Sequence, residues 1–132
     1  MSFHRRLAVA SLIAATFTAA PAFAQDGEDE SRCLRLRNIN GYSVIDDQHL
    51  ILNGGASHHY LVTTRQRCSD MRVGMAVGTS FSDNARICNA RFEYIQPTQG
   101  PWRCQIDTIE EVDSPEAARA LIEQRAQESA SQ

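Results

Sequence analysis

The spacing of four cysteines is the feature that most constrains how this 132-residue chain can fold. They are Cys33, Cys68, Cys88 and Cys104, and no two of them form a Cys-x-x-Cys pair. Their spacing therefore argues against a zinc site and against a thioredoxin-type redox centre. An even number of cysteines in a small exported chain is typical of structural disulfides. We expect two disulfides in one small domain, because the length excludes a large multi-domain enzyme.

The first 24 residues have the organisation of a secretory signal peptide, which would bring the cysteines into an oxidising compartment. Arg5 and Arg6 precede an apolar run over residues 7–20, and Ala22-Phe23-Ala24 offers the small residues that signal peptidase requires. A membrane anchor is the alternative, but the apolar run is shorter than the roughly 20 residues of a bilayer span. We predict a signal peptide over residues 1–24 and a periplasmic or secreted mature protein without stable membrane insertion.

Charge is unevenly distributed along the mature chain. Removal of Arg5 and Arg6 from the 13 basic residues leaves 11 Arg against 16 Asp and Glu, a net charge of −5. The acidic residues are concentrated in residues 25–31 and 110–132, and we expect residues 25–31 to be a disordered acidic linker. A nucleic-acid domain would show a dense basic stripe with stacking aromatic residues, so we expect no nucleic-acid partner.

Alternation of apolar and polar residues predicts a mostly β domain over residues 32–113. Leu50-Ile51-Leu52 is continuously apolar, which indicates a strand buried on both faces. Asn40-Gly41 and Asn53-Gly54-Gly55 are expected at turns between strands. We predict a small antiparallel barrel or sandwich of about six strands, stapled by disulfides. The alternating runs are residues 34–37, 42–44, 60–64, 71–77, 91–95 and 102–109, the last with Trp102, Cys104 and Ile106 on one face.

One α-helix is predicted at the end of the chain, over residues 114–127. Ser114 can cap its N-terminus, Pro115 suits the first helical position and Glu116 complements the helix dipole. Five apolar residues then follow helical spacing and could dock on the sheet, namely Ala117, Ala118, Leu121, Ile122 and Ala126. Residues 128–132 are polar and are expected to form a disordered tail.

Four cysteines allow three pairings, and the sequence alone does not choose between them. A hairpin turn at Pro97–Pro101 would place Cys104 near Tyr94 and away from Cys88, which disfavours a bond between those two cysteines. Of the remaining pairings, we favour Cys33–Cys104 with Cys68–Cys88.

Two short clusters could carry chemistry: Asp46-Asp47-Gln48-His49 and His58-His59. Carboxylates next to an imidazole suit acid–base catalysis or metal binding. A zinc or copper site would need His49 to meet His58 or His59 across a hairpin, with Asp47 as a third ligand. Neighbouring strand residues point to opposite faces, so we expect these groups to diverge. We therefore predict no metal, no cofactor, no catalytic residue and no enzymatic activity.

Four arginines form a candidate anion-binding site. Arg35 and Arg37 alternate with leucines and so share one face of the first strand. If a neighbouring strand supplies Arg65 and Arg67, the guanidinium groups could hold the carboxylate or phosphate of an envelope component. The alternative is a solvated outer sheet face.

The order of these features resembles a family of small exported bacterial four-cysteine proteins of unknown function. The resemblance runs roughly from Cys33 to Leu121. It implies an exported, disulfide-bonded β domain and supplies no catalytic residue. It rests on Cys33-Leu34, Val44-Ile45-Asp46-Asp47, Leu50-Ile51-Leu52, Tyr60 ahead of Arg67-Cys68, Ile87-Cys88, and Cys104 with Ile106.

The sequence favours a protein that binds a partner over one that transforms a substrate. We expect a small binding or accessory module of the cell envelope, whose partner is an envelope protein or an anionic envelope component. One alternative is an inhibitor of a secreted hydrolase such as lysozyme, because that class also uses compact disulfide-bonded β scaffolds. Another is a metal-binding protein or metal-dependent enzyme built on Asp46, Asp47, His49 and the His58-His59 pair.

Cleavage after Ala24 can be tested by mass spectrometry of the protein recovered from its native host. We expect the intact mass to correspond to a chain that begins at Gln25, in its free or cyclised form, because signal peptidase accepts small residues at positions 22 and 24. A mature chain that still begins at Met1 would contradict the prediction.

Overall fold

The computed structural model describes residues 33–98 and 101–132. The predicted signal peptide (1–24) and acidic linker (25–31) lie outside these residues. The described chain is mostly β with one C-terminal helix, as the alternation predicts. Its elements are β1 (Leu34–Arg35), β2 (Ile39–Val44), β3 (His49–Gly54), β4 (His58–Thr64), β5 (Val77–Thr79), β6 (Arg86–Ile87), β7 (Tyr94–Pro97), β8 (Cys104–Val112) and α1 (Pro115–Ala130), with short 3-10 helices at Gly55–Ser57 and Ala90–Phe92.

Six of the strands form a curled antiparallel sheet, a half-barrel, in the order β2-β3-β4-β8-β7-β5. Its two edge strands are linked, because the backbone N–H of Val77 in β5 donates a hydrogen bond of 2.9 Å to the hydroxyl of Tyr42 in β2. The remaining strands, β1 and β6, form a separate two-stranded sheet. The prediction of a small antiparallel barrel or sandwich of about six strands is confirmed in the form of this half-barrel.

The adjacent strands β3 and β4 are buried on both faces of the sheet. Leu50 and Leu52 belong to the core inside the half-barrel, together with Tyr60 and Val62 of β4. Ile51 lies in a second core on the outer face. The prediction that Leu50-Ile51-Leu52 is buried on both sides is confirmed, since these three residues are 0–1% exposed.

The helix α1 supplies the other half of the outer core. Ala118 is fully buried and packs with Ile51 and Leu61 of the sheet. The Ser114 hydroxyl accepts a hydrogen bond of 3.0 Å from the backbone N–H of Ala117, which confirms the predicted N-cap. The apolar stripe of the helix therefore docks on the sheet.

A charged pair fastens the C-terminal half of α1 to β8. The Arg125 guanidinium donates two hydrogen bonds, of 2.7 and 2.9 Å, to the Glu110 carboxylate. These bonds hold the pKa of Glu110 below its ordinary value, although partial burial acts in the opposite direction. The helix continues to Ala130, so residues 128–130 of the expected disordered tail are helical, and the Gln124 amide donates a hydrogen bond to the Glu128 carboxylate within this last part.

The predicted disulfide pairing is wrong: Cys33 is bonded to Cys88 and Cys68 to Cys104. The register of the small sheet explains the first bond, because Leu34 pairs with Ile87 and the next step of an antiparallel ladder places Cys33 opposite Cys88. The sequence reasoning missed this bond because β6 has only two residues and no alternating run predicts a strand there. In the chain-entropy model, bridges across separations of 55 and 36 residues stabilise the fold by about 4 kcal/mol each.

Several local predictions also fail. Residues 91–92, for which a strand is predicted, lie in the 3-10 helix Ala90–Phe92, and β7 begins only at Tyr94. Residues 71–76 form a loop where a strand was predicted, with Met71 fully buried and Val73 exposed. Gly74 adopts a positive φ of 82° in this loop, which interrupts an extended strand. The expected turn at Asn40-Gly41 instead lies within β2, where the pairing with β3 shifts between Ile39 and Gly41 as at a β-bulge.

No helix in the described parts of the chain combines the length and the apolar character needed to cross a bilayer.

The corrected pairing can be tested by peptide mapping of the oxidised protein under non-reducing conditions. We expect one linked peptide pair that contains Cys33 with Cys88 and another that contains Cys68 with Cys104, because their Cα atoms lie 4.0 and 5.8 Å apart, respectively. A linked pair of Cys33 with Cys104 would contradict the fold described above and restore the sequence-based pairing.

Candidate anion-binding groove

A groove with a volume of ≈ 430 Å³ lies where β4 ends and β8 begins. One wall is the segment 65–70, which follows β4, and the other is the segment 102–105, at the start of β8. The Cys68–Cys104 disulfide joins the two walls covalently. The groove is therefore formed by two segments that are far apart in the sequence and held together by the sheet and one disulfide.

Hydrogen bonds fix the backbone of the first wall. The backbone N–H of Arg65 donates to the carbonyl of Gln105 at 2.9 Å, and the N–H of Cys68 donates to the carbonyl of Asp47 at 2.6 Å. The buried Thr64 hydroxyl donates to the carbonyl of Gln66 at 2.7 Å. The side chains of this wall consequently project from a backbone that is ordered at both ends.

Three arginines line the groove against one carboxylate, that of Asp70. The Arg65 guanidinium donates a hydrogen bond of 3.4 Å to the carbonyl of Arg91. The guanidinium of Arg67 is 3.9 Å from the Asp47 carboxylate, and its side chain is 81% exposed. An ion pair this exposed contributes about 0–1 kcal/mol, so Arg67 remains available to a ligand.

The third arginine is held by an aromatic ring. The Arg103 guanidinium carbon lies 4.4 Å from the centre of the Tyr94 ring, a cation–π contact. Among residues 33–98 and 101–132, no carboxylate forms a salt bridge with Arg65 or Arg103. Arg65 and Arg103 thus bring positive charge to the groove that no salt bridge among the described residues neutralises.

Trp102 stands beside these arginines and is 71% exposed. It is the single tryptophan of the chain. The prediction that Trp102 shares one face of a strand with Cys104 and Ile106 is wrong, because β8 begins only at Cys104 and Trp102 precedes it. A large exposed aromatic ring within a groove is a typical feature of a binding surface.

The structure does not bring the four predicted anion-binding arginines onto one sheet face. Arg35 lies in β1, opposite Arg86 of the small sheet. The carbonyl of Arg37 accepts a hydrogen bond from the N–H of Gly55, in the turn that precedes β4, whereas Arg65 follows the far end of β4. Arg65 and Arg67 share the groove with Arg103, which sequence reasoning missed although it adjoins Cys104.

Asp46 serves as a turn residue. Its carboxylate accepts hydrogen bonds of 2.8 Å from the backbone N–H groups of Gln48 and His49, and lies 2.9 Å from Nδ1 of His49. Partial burial acts to raise the pKa of Asp46, but these hydrogen bonds outweigh it and hold the pKa below its ordinary value. Its neighbour Asp47 faces Arg67 instead, so the two carboxylates do not converge.

The three histidines of the described residues lie along the β3–β4 hairpin. His49 pairs with Thr63 at one end, while His59 pairs with Asn53 near the other. His58 contacts the Glu111 carboxylate at 2.7 Å through Nδ1. Within the described residues no group of three or more His, Cys, Asp or Glu side chains could hold a metal ion. The hairpin therefore does not bring together the ligands that the sequence-based metal site requires.

The fold and groove define a small two-disulfide β protein with an arginine-lined groove. The chain belongs to DUF6491, a family of unknown function whose family model matches residues 3–128. The resemblance to a four-cysteine family of unknown function is thereby confirmed. Comparison with curated proteins and with solved structures found no match to this chain.

The role of Asp46 predicts a pH-dependent contribution to stability. Because the pKa of Asp46 is lower in the folded chain than in the unfolded chain, its contribution is present above the unfolded value and is lost as the pH falls through the folded value. We expect Asp46→Asn to lower the free energy of unfolding at pH 7 by about 1 kcal/mol, a figure reduced for partial exposure.

The measurement is urea unfolding with intact disulfides at pH 7 and at about pH 3, which lies below the ordinary Asp pKa. The difference between the natural chain and Asp46→Asn should shrink at the lower pH. Asp47→Asn is the matched control, and a smaller effect is expected because the Asp47 carboxylate is 3.9 Å from the exposed Arg67. An Asp46→Asn effect that is absent at pH 7, or that does not shrink at the lower pH, would contradict the role given to the Asp46 carboxylate.

Proposed function

We propose that the mature chain is an exported binding module that holds an anionic component of the cell envelope in the groove of Arg65, Arg67 and Arg103. The observation that carries the proposal is the excess of three guanidinium groups over one carboxylate in a single groove. A bound anion would offset the repulsion between these groups. The mature chain is acidic as a whole, so a local positive groove would direct anions to this place.

Guanidinium groups recognise carboxylates and phosphates because their planar N–H donors match two oxygens of the anion at once. Arg65 and Arg67 are two positions apart on an ordered backbone and both have exposed side chains. Each exposed charge contact contributes about 0–1 kcal/mol, so binding should depend on several arginines together and should weaken with salt.

Export is supported by two observations of different kinds. The first residues have the basic, apolar and small-residue succession of a signal peptide. All four cysteines are bonded in two disulfides, which persist in oxidising compartments. A periplasmic or secreted location would give the groove access to envelope components.

The alternatives drawn from the sequence stay predictions. An inhibitor of a basic hydrolase such as lysozyme would use an acidic surface for its contact, whereas the groove is basic. A metal-binding protein or metal-dependent enzyme would need His49 close to His59, and the hairpin register separates them by four residue pairs. Neither alternative uses Arg65, Arg67 or Arg103.

The proposal can be tested with inorganic phosphate as the probe. Because Trp102 is the single tryptophan and lines the groove, its indole N–H signal and its fluorescence report on this place alone. We expect phosphate to shift the indole signal saturably at low ionic strength, with an affinity that falls as NaCl is added. Arg65→Ala with Arg67→Ala should weaken phosphate binding about tenfold, which corresponds to about 1.4 kcal/mol.

Arg35→Ala with Arg37→Ala is the matched control, because it removes the same charge from a different part of the fold. This control should leave the phosphate affinity within about twofold, because neither Arg35 nor Arg37 lines the groove. Loss of binding in the control and not in the groove variant would move the anion site to Arg35 and Arg37 and refute the groove. Equal loss in both would agree with the four-arginine site predicted from sequence or with non-specific attraction, and would also refute the groove.

A further inference from the structure

We infer that the ligand of the groove is an acidic saccharide, whose carboxylate is held by Arg65 and Arg67 while a sugar ring stacks on Trp102. This inference rests on the proposed function and names the chemical class of its ligand. It starts from a feature that anion binding alone does not explain: the groove that carries the arginines also exposes the single tryptophan.

The Trp102 ring offers a flat apolar surface at the groove. Its exposed fraction of 71% leaves most of the ring open to a ligand. The face of an indole carries negative charge density, which attracts the weakly positive C–H groups on the face of a sugar ring. A bare phosphate or carboxylate has no group that could use this surface, so the ring indicates a ligand with both an anion and a flat body.

The other polar groups of the groove suit hydroxyl groups. Gln66, Ser69, Asp70 and Gln105 line it beside the arginines. The Gln105 amide nitrogen already donates to the carbonyl of Arg91 at 2.8 Å, which leaves its amide oxygen as an acceptor. Amide, hydroxyl and carboxylate groups can exchange hydrogen bonds with the several hydroxyls of a saccharide.

Asp70 also limits the charge of the ligand. Its carboxylate lines the same groove, and a like charge close to a polyanion is unfavourable. A hydroxyl group, by contrast, can donate a hydrogen bond to this carboxylate. The combination favours a ligand with an isolated acidic group among hydroxyls over a polyphosphate.

The size and location of the groove agree with this class. A volume of ≈ 430 Å³ lies in the range of about 300–1,000 Å³ that is typical of sites for small ligands. Tryptophan and arginine also stack on nucleobases, so a nucleotide is the main competing ligand. A nucleotide phosphate concentrates about two negative charges on one group. Asp70 would repel this group more strongly than a single carboxylate, so the acidic saccharide is favoured.

The experiment compares four probes: digalacturonate, lactose as a neutral disaccharide, acetate as a carboxylate without a ring, and uridine monophosphate. Affinities are measured from the backbone amide signals of Arg65 and Gln105, which remain available when Trp102 is replaced. We expect digalacturonate to bind at least about tenfold more tightly than either lactose or acetate, because it alone engages both the arginines and the ring.

Trp102→Ala separates stacking from anion binding. Trp102 is 71% exposed, so the substitution should leave the fold intact. It should weaken the affinity for digalacturonate at least about tenfold and should change the affinity for inorganic phosphate by no more than about twofold. Phe92→Ala is the matched control, because Phe92 is 79% exposed and does not line the groove, and it should change neither affinity.

Failure of this inference can be distinguished from failure of the proposed function. If phosphate binds through Arg65 and Arg67 but digalacturonate binds no tighter than acetate, the groove is an anion site and the saccharide assignment is overturned. Tighter binding of uridine monophosphate than of digalacturonate would assign the groove to nucleotides and would also overturn it. If the binding of none of the probes depends on Arg65 and Arg67, both proposals fail.

Discussion

The pairing of β4 with β8 is the contact on which the rest of the molecule depends. These strands lie at the centre of the half-barrel, and each carries residues of the inner core, such as Tyr60 and Ile106. On the outer face, Leu61 packs against α1, while Glu110 of β8 binds Arg125 of the same helix. One strand pair therefore supports both apolar layers and the docking of the helix.

The groove is a direct extension of this pair. Beyond Thr64 the chain leaves the sheet, yet the N–H of Arg65 still donates to the carbonyl of Gln105. The Cys68–Cys104 bond then closes the two segments a few residues further on. Loops are mobile when few contacts hold them. The disulfide supplies such a contact, so this wall of the groove is ordered without additional core packing. Stability and the candidate site thus share the same covalent bond.

Burial on two faces also explains why a small domain can carry exposed arginines and an exposed tryptophan. Leu50, Ile51 and Leu61 are almost fully buried, and full burial of such a side chain contributes about 1.5–3 kcal/mol. The two disulfides add stability by restricting the unfolded chain, in a model-dependent way. Because the buried strands and the two disulfides supply the stability, exposed residues at the edge of the fold are available for binding.

The sequence by itself determined the features that depend on residues close together in the chain. Alternation and continuous apolarity predict strands and the double burial of Leu50-Ile51-Leu52, and Ser114 predicts the start of the helix, because each signal is contained within one turn or one strand. The loop at residues 71–76 shows the limit of such signals, since its alternating pattern is overridden by Gly74 and by the attachment of the segment at Cys68.

Only the tertiary structure decided which distant segments meet. The cysteine pairing depends on a register between strands of two residues, and no local pattern reports it. The candidate site differs from the one predicted from sequence for the same reason. Arg35 and Arg37 lie on the small sheet and the segment that follows it. Arg103 and Trp102 instead meet Arg65 and Arg67 because β4 pairs with β8. Strand order and register depend on how all the strands pack together. The sequence of a single segment does not carry this information.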